Sequence, residues 1–125
     1  MGLLGRIGGA FRRFGRRLSE SDEERLADEV FEWAEGIPGT TRLREVPLRQ
    51  PVRIAGIVGR ITVVPAEGKQ AIEALISDGT GEVTASWMGR VSIPGVVLGS
   101  RLLLEGVVGE TRDGRKIVNP RYEFA

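Results

Sequence analysis

The sequence predicts a mainly β protein: a five-stranded Greek-key barrel with an N-terminal α-helix and a basic N-terminal arm. Three observations predict it. From Leu48 onward, short alternating apolar runs recur between glycine-rich turns. One stretch of helical period, residues 19–36, lies ahead of them. Charge is segregated: residues 1–18 carry +5, residues 19–35 carry −7 and residues 36–125 carry +3. The expected organisation is an arm over 1–18, an acidic helix over 19–36, a linker over 37–47 and a barrel over 48–125.

In the arm, Leu4, Ile7, Phe11, Phe14 and Leu18 recur at helical spacing. Arg12, Arg13, Arg16 and Arg17 lie largely off that stripe. Five glycines oppose the helix, each by about 1 kcal/mol relative to alanine. Three readings stay open: a loosely docked tail, a segment inserted at an anionic membrane surface, and a nucleic-acid-binding arm. The arm also shares its arginine richness and lack of acids with organellar transit peptides. Arg6 stands where a myristoylation signal needs Ser or Thr.

The acidic helix has its own start and stop. Ser21 and Glu24 fit a capping box, and Asp22 and Glu23 fall in the first turn, where the helix dipole favours anions. Leu26, Ala27, Val30, Phe31, Trp33 and Ala34 form an apolar face. Gly36 and then Pro38-Gly39 end it. Two readings follow. The helix packs on the body with its acids solvated, or its acidic face holds the basic arm until a polyanion competes.

Five strands are expected, at residues 52–65, 70–77, 82–88, 101–111 and 116–124. In the first, Gly56 and Gly59 suit bulges or bends. The second places Ile72, Ala74 and Ile76 on one side. The third places Val83, Ala85 and Trp87 inward, with Thr84, Ser86 and Met88 outward. In the fifth, Val118, Tyr122 and Phe124 share the core phase, and Pro120 marks an edge or bulge. Residues 89–100 bridge strands three and four; Pro94-Gly95 and Gly99 limit them to a loop or one helical turn. Five short strands with one bridge between the third and fourth follow the order of an OB-fold. The long, glycine-bent first strand argues against an SH3-like barrel.

Specific residues carry a resemblance. Val52, Ile54, Gly56 and Val58, then Asp78 to Gly81, then Gly99, Leu102, Leu104 and Gly106 stand at matching positions. The body resembles nucleic-acid-binding OB domains of the tRNA-anticodon type. Trp87 to Gly95 and the terminal "NPRYE" resemble small stand-alone bacterial OB-fold proteins. The resemblance implies the fold, and by analogy nucleic-acid binding.

Asp78-Gly79-Thr80-Gly81 invites a chemical reading, and four fail. Aspartic proteases need D-T-G or D-S-G in two copies, and here Gly79 intervenes in one copy. Aspartate-nucleophile phosphatases need a carboxylate two residues earlier, where Ile76 stands. A dinucleotide fingerprint opens a helix, but Glu82-Val83-Thr84 continue as a strand. A P-loop needs Lys-Ser/Thr, which is missing. DGTG reads as the turn between strands two and three. Asp78 bonds its own backbone two residues on, and the glycines take positive φ.

That turn sets which side chains face outward on strands two and three. Thr84, Ser86 and Met88, with Glu73 and Leu75, form the floor of a candidate groove. Arg53 points outward, and after a parity switch near Gly59 so does Arg60. Lys69 sits in the strand 1–2 loop, Arg112, Arg115 and Lys116 line the strand 4–5 hairpin, and Arg90 leaves strand three at its rim. These residues are the candidate nucleic-acid site, with phosphates held by the cations. The aromatics of the barrel, Trp87, Tyr122 and Phe124, all sit in core phase; with Trp87 buried, stacking is poor and weak, salt-sensitive binding or a different ligand is expected, whereas the opposite phase of strand three would expose Trp87 as a stacking platform.

Composition narrows the function. The 125-residue chain has no cysteine and no histidine, so thiolate and imidazole chemistry are excluded. No paired-carboxylate motif remains, so no enzyme, metal or cofactor is expected. Arginine outnumbers lysine 16 to 2, which suggests a GC-rich bacterial genome. No apolar run approaches the ~18 residues of a membrane span, and no secretory pattern is seen, so a cytoplasmic location is expected. The expected partner is single-stranded DNA or RNA. The alternative is a protein-interaction module, brought to a partner or a membrane surface by residues 1–18.

Overall fold

In the computed structural model the described residues are 20–125, with side chains from Asp22 onward. The readings of residues 1–18 lie outside them. Helix α1 spans Glu20–Glu35. Ser21 already lies inside it, so the helix begins earlier than the expected capping box allows. The six strands are β1 Pro51–Ala66, β2 Lys69–Ser77, β3 Glu82–Met88, β4 Arg101–Thr111, β5 Gly114–Val118 and β6 Arg121–Phe124.

The strands run in the order β1-β2-β3-β5-β4, and β4 returns to pair with β1, which closes a five-stranded ring. β3 and β5 pair in parallel, the other neighbours antiparallel. β1 serves two partners. Pro51 to Ile57 pair with β4, and Ile57 to Ala66 pair with β2. The register slips between Val58 and Arg60, so the bulge falls at Gly59 and turns Arg60 outward. Gly56 has a different use: a Cβ there would stand 2.4 Å from Ile76 Cγ2 and 3.0 Å from the Ser77 carbonyl oxygen. Only glycine lets β1 pass so close to β2.

The expected fifth strand is broken. β5 ends at Val118, Asn119 takes φ +49°, and β6 resumes at Arg121 on the same partner, β4. The break changes side-chain parity. Ile117, opposite Val108 and Ala85, is the buried residue of β5, and Val118 is exposed. Phe124 is 54% exposed, which corrects its expected place in the core. Tyr122 is half-buried and meets Trp87 edge-on at 5.8 Å.

The barrel core is Ile54, Val58, Ile72, Ala74, Ile76, Val83, Ala85, Trp87, Leu102, Leu104, Val108 and Ile117. Trp87 is buried, and its indole N–H donates to the Pro120 carbonyl at 3.1 Å, so its one polar atom is satisfied. The bridge over residues 89–100 forms turns and no helix, and sends Ile93 and Val96 into this core. The linker also reaches it. A 3-10 turn, Leu43–Glu45, buries Leu43, and Val46 follows. Each such side chain contributes ~1.5–3 kcal/mol.

Helix α1 lies on the outside of the wall. Ala27 and Val30 pack on Ile57, whose parity is opposite to that of Ile54 and Val58. Glu24, Asp28, Glu29, Glu32 and Glu35 face solvent. This is the packed-helix arrangement with these five acids solvated, while Glu23 is buried; contact with the arm lies outside the described residues. At the C-terminal end the Ala34 carbonyl accepts from Ile37 N at 3.1 Å and from the Arg42 guanidinium, which also approaches Glu35 at 3.8 Å. Among the described residues no helix is long and apolar enough to cross a membrane.

Candidate nucleic-acid interface

The DGTG turn joins β2 to β3 as expected, but its larger part is a clasp. Asp78 is fully buried. Its Oδ1 accepts from Thr80 N at 2.8 Å, Thr80 Oγ1 at 2.6 Å and Gly81 N at 3.2 Å. Its Oδ2 accepts from Leu43 N at 2.8 Å, and Thr80 Oγ1 accepts from Arg44 N at 3.2 Å. The turn thus pairs backbone donors of the linker that burial would otherwise leave unsatisfied. Gly79 takes φ +88°, and a Cβ there would stand 2.7 Å from Phe31 Cβ. Helix, linker and barrel meet at this one turn.

The clasp holds one end of the β2–β3 face. On that face Arg60, Leu75, Thr84 and Lys116 form a row of directly paired residues across β1, β2, β3 and β5. Paired residues share a side of the sheet. The next outward row is Thr62, Glu73, Ser86 and Val118. Arg115 lies toward the clasp, where its guanidinium stands 3.4 Å from the Cβ position of Gly81. Lys69 and Arg90 mark the opposite end, since Gly89 N bonds Gln70 O at 2.7 Å and each cation is one residue beyond that bond.

The expected site residues fare unequally. Arg60, Thr84 and Lys116 come together, with Arg115, Lys69 and Arg90 at the ends of the same face. Arg112 is exposed in the β4–β5 turn, two residues from Gly114. Met88 is half-buried with its sulfur 3.9 Å from Ser86 Oγ. Ser86 points outward but is buried, so it is not open to a ligand, which corrects its expected role. Lys116 is bonded at 3.1 Å to Glu73, an acid in the row beside the cations. Arg53 is not on this face. The half of β1 that carries it pairs with β4, and it bonds Glu105 at 3.1 Å and Glu123 at 3.0 Å. One cation was missed. Arg44 is exposed beside Gly81 because the clasp brings it there, and nothing in the local sequence signals that.

The opposite wall, β1–β4–β6, is electrically balanced. Arg53 and Arg121 alternate with Glu105 and Glu123. The bond from Arg121 holds the Glu105 carboxyl below its ordinary value, with a smaller contribution from Arg53 and burial opposing both. Two concavities of about 310 and 530 Å³ adjoin this ladder. The β2–β3 face has six cations, Arg60, Lys69, Arg90, Arg112, Arg115 and Lys116, against four acids, Glu67, Glu73, Glu82 and Asp113. It is therefore the more positive of the two walls.

No family model and no curated protein matches the chain. Solved structures do. The OB domain of Ta0387 from Thermoplasma acidophilum matches with a TM-score of 0.54 at 17% identity, over 69% of this chain and 86% of that one. The fold is an OB-fold. The p204 HINb domain matches this OB barrel with a TM-score of 0.57 at 17% identity, over 86% of this chain and 52% of that one. RecG, in its structure bound to a three-way DNA junction, matches with a TM-score of 0.61 at 14% identity, over 92% of this chain and 18% of that one. OB barrels take ligands on the face of strands two and three, between the first and fourth hairpin loops. The corresponding strands of this barrel carry the Arg60–Lys116 row, with the Glu67–Gly68 and Arg112–Asp113 turns at its margins.

Proposed function

We propose that the chain is a non-catalytic nucleic-acid-binding OB module that holds single-stranded DNA or RNA on its β2–β3 face. The carrying observation is the row Arg60–Thr84–Lys116, with Arg115, Lys69 and Arg90 at its ends, on the more positive wall of the barrel. The cations contact phosphates, so affinity falls with salt. The match to RecG in a DNA-bound structure supports the same reading. With no histidine or cysteine, the chain has no thiolate or imidazole to do chemistry on the strand. The motifs around Val52–Val58 and Asp78–Gly81 support a place near the tRNA-anticodon type.

Fluorescence anisotropy of the full chain with labelled DNA and RNA, at two salt concentrations, tests this. Binding that weakens with salt, and weakens again in Arg112→Gln/Arg115→Gln, is expected. No binding at low salt refutes it. One observation favours a protein-interaction module instead: Val91, Val97, Leu98 and Phe124 are exposed on the bridge and β6. Co-purification of a defined protein without nucleic-acid binding would favour that reading.

A further inference from the structure

We infer that the β2–β3 face holds nucleic acid by its phosphates alone and reads neither base identity nor strandedness. The inference rests on the nucleic-acid reading above and specifies its ligand. Binding that strongly favours single strands draws chiefly on aromatic stacking or on a pocket for the unstacked base. Among the described residues this face presents no aromatic side chain. Its outward side chains between the cations are Thr62, Glu73, Leu75, Thr84, Met88 and Val118, with Ser86 buried and Glu73 committed to Lys116. The aromatic of β3, Trp87, points the other way, is buried, and has its N–H committed to Pro120. Phe124, the exposed aromatic of the barrel, lies on β6 over Gly95, away from the row.

The pocket on this face is small. The cleft against this face, between Leu75, Thr84 and Arg115, holds about 70 Å³. Ligand sites usually hold roughly 300–1,000 Å³. The larger concavities of about 310 and 530 Å³ lie on the other wall, where Arg53 and Arg121 are paired with Glu105 and Glu123. The face supplies cations and threonine hydroxyls to a backbone and little to a base. A duplex offers it at least as dense an array of phosphates as a single strand.

The test is competition for the full chain at low salt with three probes about 15 nucleotides long, a length set by OB-fold site sizes. They are a mixed-sequence single strand, the same backbone with every base removed, and a duplex. The face variant Arg60→Gln/Arg115→Gln/Lys116→Gln is run beside it, with folding checked by near-ultraviolet circular dichroism of the tryptophans. The expected result is that all three probes bind within about threefold of one another. The variant should lose about tenfold or more on each. An abasic strand or a duplex bound more than about tenfold worse than the single strand overturns the inference and leaves the nucleic-acid reading standing. Equal binding that the variant does not weaken also overturns it, since the contact then lies elsewhere on the chain. No binding of any probe overturns the nucleic-acid reading itself.

Discussion

Glu73→Gln should tighten nucleic-acid binding. Glu73, in the row beside the cations, bonds Lys116 at 3.1 Å, with the two side chains 22% and 31% exposed. A phosphate on Lys116 must displace or sit beside this carboxylate. At a separation of ~6 Å, two negative charges repel by ~0.7 kcal/mol in water and ~3 kcal/mol at an effective dielectric of 20. Partial exposure and salt place the working value near ~1 kcal/mol, or about fivefold in affinity. Removing the ion pair costs the fold at most about 1 kcal/mol. The assay is anisotropy of wild type and variant against one labelled strand over a salt series, with a thermal melt of each. The expected result is a three- to tenfold gain at low salt, shrinking as salt rises, with the melt nearly unchanged. An unchanged or weakened affinity in a folded variant would refute the placement of phosphate beside Lys116.

Three further outcomes are expected. Asp78→Ala removes four hydrogen bonds and leaves the buried donors of Leu43, Thr80 and Gly81 unpaired. At ~1–3 kcal/mol for each such donor, not fully additive, the loss should be about 3–5 kcal/mol, read by urea titration. A loss under about 1 kcal/mol would contradict the clasp. Arg53→Gln should leave nucleic-acid affinity within about twofold, because Arg53 is held by Glu105 and Glu123 on the other wall; a clear drop in the anisotropy titration would return it to the site. Glu105 is held below its ordinary value of 4.5 by Arg121 first and Arg53 second. A depressed folded value stabilises above the ordinary one and is lost as pH falls through the folded one. The melting temperature should therefore fall on acidification below about pH 4.5, and less steeply in Glu105→Gln.

Alternation carried much of the fold. β3 at Glu82–Met88 and β4 at Arg101–Thr111 coincide with the runs read from sequence. The parity switch at Gly59 also falls where the pattern breaks. Parity within one strand is local, since successive side chains alternate whatever lies next door. It failed where the strand itself was interrupted. A left-handed Asn119 before Pro120 offsets the phase, so Ile117 went inward and Val118 outward, while Phe124 keeps the phase of Tyr122 opposite Leu102 and is exposed because it ends the edge strand β6. The candidate site was legible in the same limited sense. Arg60, Thr84 and Lys116 each faced outward as read, but their meeting depends on β1, β2, β3 and β5 lying side by side.

The sequence by itself determined four of the alternating strands and the turn at DGTG, and it favoured the inward phase of Trp87, because each follows from residues a few positions apart. Only the tertiary structure decided who neighbours whom. It removed Arg53 to a second wall, set Glu73 against Lys116 and tied Asp78 to Leu43 across 35 residues. Charge pairing and the satisfaction of buried donors depend on distances through space, and sheet order sets those distances. The DGTG turn shows both sides. Its shape was written in four residues, and its use as a clasp came from a linker that the fold brought to it.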